Sequence, residues 1–188
     1  MNHPTFLRRA GLLSACITLA LSLNACNEPE NPAKTREDVA KAQAEGARDV
    51  EKARAEAADK VAKAQEDLAR ARAEAGHDVD QAQQTAAART EVIDSRANAV
   101  TDKAVAEVGE ERADLIRTKA KADYDIAKAD AGATYNVAKQ RCDSETGDTK
   151  DACQKHAKAE YEAAIASADA RLADAKRAAD AVEKRSGG

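Results

Sequence analysis

Larger apolar residues recur along this chain at Val39, Val50, Val61, Leu68, Val79, Ile93, Val100, Val108, Leu115, Ile126 and Val137, at spacings of 11, 11, 7, 11, 14, 7, 8, 7, 11 and 11. At about 3.6 residues per helical turn, each of these steps returns to nearly the same face. Three consecutive segments, VAKAQAEGARD, VEKARAEAADK and VAKAQEDLARA, show the 11-residue step most plainly. Ala42, Ala53, Ala57, Ala64, Ala75, Ala82 and Ala86 fill the stripe between the larger residues. The pattern predicts one very long helix over 35–142 with a narrow apolar seam. Thr35 is its expected cap and Asp38 its first-turn acid. At about 1.5 Å per residue it would be roughly 160 Å long. Gly46, Gly76, Gly109 and Gly132 are its weak points, and TEVIDSRANAVT, residues 90–101, is its least regular stretch.

A second pattern follows. Tyr161, Ile165, Ala168, Leu172, Ala175, Ala179 and Val182 step by 4, 3, 4, 3, 4 and 3, a heptad seam over an expected returning helix at 150–185. Between the two patterns, CDSETGDTKDAC supplies a turn at 143–149, with Gly147 as the breaker and Asp148 or Thr149 as the next cap. Mirrored about that turn, Tyr161 falls near Tyr135, and Leu172 near Tyr124. Those tyrosines belong to a second face of the long helix, made by Ala113, Ile116, Ala120, Tyr124, Ala127, Ala131 and Tyr135. It lies opposite Leu115, Ile126 and Val137. One hairpin partner can cover only one of the two faces. The Leu115, Ile126 and Val137 face is therefore expected to meet another chain or another helix.

Composition agrees with rods rather than a globule. Of 188 residues, aromatics are 2% and charged residues 34%, with no tryptophan and one phenylalanine. Burial stabilises by roughly 25 cal/mol per Å² of apolar area, and alanine offers little area. No proline follows Pro32, so nothing forces a break in the helical region. The net charge is −4, and all 34 acidic residues lie after Cys26. That balance argues against a nucleic-acid partner, which would want a basic surface.

The first residues read differently. MNHPTFLRR is a short positive start, AGLLSACITLALSL is an apolar run too short to span a bilayer comfortably, and Leu23-Asn24-Ala25-Cys26 follows. This resembles the bacterial lipoprotein signal, whose lipobox ends in Leu, a small or polar residue, Ala or Gly, then Cys. The resemblance implies a signal peptide at 1–25 and a covalent lipid on Cys26, which becomes the first mature residue. Leu13-Ser14-Ala15-Cys16 also fits the box, with less apolar run before it. Ordinary cleavage would place Leu23 at −3, where a small residue is wanted. Asn27 rather than Asp follows the cysteine, which points to an outer-membrane position facing the periplasm. Residues 26–34, with Pro29 and Pro32, read as a tether, and 186–188 as a tail.

With Cys16 removed and Cys26 lipidated, Cys142 and Cys153 remain in an oxidising compartment. A disulfide closing the hairpin is the economical expectation. Cys142, Cys153 and His156 as metal ligands are the alternative, without an evident fourth ligand. Asp143, Glu145, Asp148 and Asp151 faintly resemble a calcium loop, but Gly147 and Gln154 sit where ligands belong. Histidine is scarce and no cleft-forming core is foreseen. The expectation is therefore no enzyme, no catalytic residues, no metal, no small-molecule substrate, and no cofactor beyond the lipid.

Taken whole, the sequence resembles small bacterial envelope lipoproteins with helical, coiled-coil-prone bodies. The murein lipoprotein is the nearest analogy, although this chain ends in AVEKRSGG rather than a terminal lysine. The body also resembles the periplasm-spanning helical part of the TolA protein. Its 11-residue repeats resemble those of group 3 late-embryogenesis-abundant proteins. Two expectations follow. One is an all-α, lipid-anchored rod that self-associates or holds another envelope protein. The other is a stress-protective lipoprotein that folds conditionally.

Overall fold

A computed structural model describes residues 30–87 and 94–187. The described chain is all helical: α1 spans Pro32–Ala87, α2 spans Asp94–Cys142 and α3 spans Gly147–Ser186. The expected single helix over 35–142 is thus two helices. They pack along each other, and α2 packs on its other side against α3, while α1 and α3 do not pack together. The physical reason lies in the seam. A Val and Ala stripe open to water gains nothing, whereas folding α1 back onto α2 buries it. α1 stops at Ala87, just before the least regular stretch, and α2 starts at Asp94, within it, while residues 88–93 lie outside the described part.

The α1 seam has a regular form. Thr35, Gly46, Ala57 and Leu68 are buried at steps of 11. Val39, Val50, Val61, Ala42, Ala53 and Ala64 lie between them and Ala75 follows, all buried or half-buried. The close approach of Gly46 to Ala133 sets the antiparallel register. A Cβ built at Gly46 would sit 2.5 Å from the Ala133 Cβ. In this register Ala53 faces Ile126, and Ala64 faces Leu115.

On α2, Ala104, Ala113, Ala122 and Ala131 are buried at steps of nine residues. Nine residues are two and a half turns. Successive members therefore point alternately to α1 and to α3, and small residues let α2 pack closely on both sides. Buried Ala157, Ala168 and Ala179 answer from α3. The outcome is three helices in a row with α2 in the middle. The Ser186 side chain fills the space beside Gly109, so α3 ends there. Residues 94–108 of α2 extend past it.

The helix starts differ from expectation. The side-chain Oδ1 of Asn31 accepts from the Ala33 N–H at 2.9 Å, so Asn31 is the cap of α1 and Pro32 takes the first helical position. Thr35 is buried in the seam instead, and α1 already takes in 32–34, which were expected to be part of a tether. α3 starts from an extended Thr146 and from Gly147 at φ +55°, rather than from Asp148 or Thr149. That left-handed conformation is the one glycine adopts without a Cβ penalty. No helix among the described residues is long and apolar enough to cross a membrane.

Candidate functional site

At one end α2 closes into a tight turn: the Asp143, Ser144 and Glu145 N–H groups donate to the carbonyls of Gln140, Arg141 and Cys142 at 3.3, 3.2 and 3.0 Å. These bonds satisfy carbonyls that a helix end leaves open. Cys142 and Cys153 form a disulfide across the turn, with Cα atoms 5.6 Å apart. Their sulfurs are bonded to each other, so the alternative of metal-ligating thiolates is not what this structure holds. His156 instead lies 3.6 Å from Glu160 on its own helix. Among the described residues no group of three or more His, Cys, Asp or Glu is placed to hold a metal ion.

The chain enters at this same end. The Glu30 N–H donates to the Asp143 carbonyl at 3.2 Å, which ties the entry segment to the α2–α3 turn. Glu30 also pairs with Lys34, and Lys150 pairs with Asp143 at 2.9 Å. The Glu30 carboxylate holds the Lys34 ammonium above its ordinary pKa, chiefly through their hydrogen bond. Cys26, the expected lipid site, lies four positions before Glu30 and outside the described residues. A fully extended link of four residues spans at most about 14 Å.

Further along, α2 and α3 join as a hairpin in the expected register. The rings of Tyr135 and Tyr161 lie 5.3 Å apart at a tilted angle. Tyr124 and Leu172 share the wall of a groove of about 520 Å³, which Ile116 and Arg171 also line. Ile165 and Val182 are half-buried along the same side of α3. Tyr135 and Tyr161 line a second groove of about 370 Å³ next to the first.

Leu115, Ile126 and Val137 are half-buried and lie on the side of α2 that faces α1. Ile126 lines the larger groove together with Arg54 of α1. The helix that meets this face is thus in the same chain.

One tie was not foreseen. Arg117 of α2 donates to Asp180 at 2.8 Å and Glu183 at 2.5 Å on α3, and to Asp114 at 3.0 Å on its own helix. Hydrogen bonds to Asp180, Glu183 and Asp114 push the Arg117 pKa still higher. The mirrored register alone places 117 beside 180, so the signal was present, though no local motif marks it.

Comparison of the chain with known protein families, with curated proteins and with solved structures finds no match.

Proposed function

We propose that this chain is a non-enzymatic, lipid-anchored helical spacer of the bacterial cell envelope, held at the outer membrane by acylated Cys26 and extending into the periplasm. The observation that carries the reading is the Glu30 to Asp143 backbone bond at 3.2 Å. It brings Glu30, four positions after Cys26, to the disulfide-closed turn, which supports an anchor at that end. From there α1 runs 56 residues, or about 84 Å at about 1.5 Å per residue, away from that end. Its task is to hold a partner, either a second copy or another envelope protein, at that height. While the α1–α2 hairpin is closed, the Leu115, Ile126 and Val137 side is not open for self-association.

The test is the mass of the N-terminal peptide from membranes of expressing cells, beside a Cys26→Ala variant. A diacylated or triacylated Cys26, with the variant lost from the membrane fraction as a mature protein, is expected. An unmodified Cys26 in membrane-associated protein overturns the anchor.

A second reading, conditional folding with a protective role, is favoured by the thinness of the interior. Among the described residues, nine alanines, Val50, Leu68 and Cys142 make up the buried apolar set. Such an interior removes little apolar area per ordered residue, against a backbone cost of roughly 1–2 kcal/mol for each residue fixed. Circular dichroism in dilute buffer separates the two. High helicity with a cooperative melt supports the spacer. Low helicity that rises sharply in trifluoroethanol supports conditional folding.

A further inference from the structure

Two arginines at the anchored end have no assigned work. Arg36 of α1 and Arg141 of α2 line one groove of about 300 Å³, together with Thr35, Val39, Gln43 and Ser144. Neither makes an ion pair with a carboxylate among the described residues. The nearby cations differ: Lys34 is engaged by Glu30, and Lys150 by Asp143. The walls of the groove are mostly apolar, and Ser144 lies in the turn that receives Glu30. So two arginines without a carboxylate partner among the described residues, brought to one groove only by the α1–α2 packing, lie beside the point where the chain enters.

A guanidinium presents several N–H donors in a planar fork that fits phosphate oxygens, and it sheds water more readily than an ammonium. We propose that Arg36 and Arg141 grip the phosphate of an anionic phospholipid headgroup, which seats the helical body against the membrane surface in a fixed orientation. This rests on the reading of Cys26 as the lipid anchor. The short link from Cys26 holds Glu30 within about 14 Å of the acylated residue, and Glu30 is bonded to the turn that carries Ser144 of the groove. The apolar walls suit the glycerol and upper chain region beneath such a phosphate. Lipid supplies the occupant here rather than free phosphate, because the anchor holds the groove at a surface crowded with headgroups.

The experiment uses the acylated protein reconstituted in phosphatidylcholine vesicles, with and without phosphatidylglycerol. Arginine modification by phenylglyoxal is followed by peptide mass spectrometry, with exposed Arg72, far along α1, as the internal reference. A basic side chain near an anionic surface gains about 1 kcal/mol, so Arg36 and Arg141 should react about fivefold more slowly in phosphatidylglycerol vesicles, and Arg72 should not change. Protection of Arg141 should weaken in an Arg36→Gln variant, because the two share one phosphate. Equal reactivity in both vesicles overturns the proposal. Protection by inorganic phosphate in plain phosphatidylcholine overturns the lipid as occupant. The same spectra report acylation of Cys26, so a failed anchor is told apart from a failed headgroup contact.

Discussion

Gly46 and Gly76 sit on the same helix in opposite circumstances. A Cβ at Gly46 meets the Ala133 Cβ at 2.5 Å and its Cα at 3.1 Å, neither of which can swing aside. At Gly76 nothing lies within 4 Å. Alanine gains about 1 kcal/mol over glycine inside a helix, while overpacking costs about 1–3 kcal/mol. Gly46→Ala should therefore lower the melting midpoint, and Gly76→Ala should raise it by about 2–4 °C. Thermal melts of the two variants side by side check the sign of each. Arg117 poses a different test. Its partners Asp180 and Glu183 tie the end of α3 to α2. An arginine whose pKa is raised in the fold contributes at every pH below its unfolded value, so the tie persists across the neutral range. It is exposed and screened by salt. Arg117→Gln should speed amide exchange over 178–186 and leave 157–168 unchanged, and added salt should do the same to the wild type.

The α2–α3 hairpin is legible in the sequence because its heptads and its turn agree with each other. Tyr135 meeting Tyr161 needs only reflection about CDSETGDTKDAC. The disulfide across that turn closes a loop with a sequence separation of 11. On a chain-entropy estimate such a link contributes about 3 kcal/mol. Reduction, or Cys142→Ser with Cys153→Ser, should lower the melting midpoint. Exchange protection should fall in α3 before α1, because α3 is held by α2 alone. Equal loss along all three helices would show that the staple supports the whole row rather than the hairpin. The caps are less legible. Asn31 with Pro32 and Thr146 with Gly147 start the helices, while Thr35, the expected cap, is instead buried. A polar residue in a repeat of 11 can be cap or seam, and only the partner helix decides which.

A chain with one continuous helix over 35–142 would reach roughly 160 Å, whereas the folded row is set by α1, about 84 Å long. Small-angle scattering should give a largest dimension near the shorter figure. A value near the longer one would mean that α1 opens from α2 in solution and bares Leu115, Ile126 and Val137. Periodicity by itself determined that the body is all helical, which positions form seams, and that α2 carries two apolar faces, because these depend on residues a few turns apart. The order of the alanines at 104, 113, 122 and 131 also follows from it, once both faces are known to be covered. What covers the first face was not legible. Seam residues alike in size at steps of 11 fit a second copy, a foreign helix or the chain's own α1 equally well. The choice depends on whether the chain reverses near residue 90, where no proline or glycine marks a turn. Only the tertiary structure decided that α1 returns along α2. With it came the Gly46 to Ala133 approach and the meeting of Arg36 with Arg141, both of which join residues far apart in sequence that become neighbours only through packing.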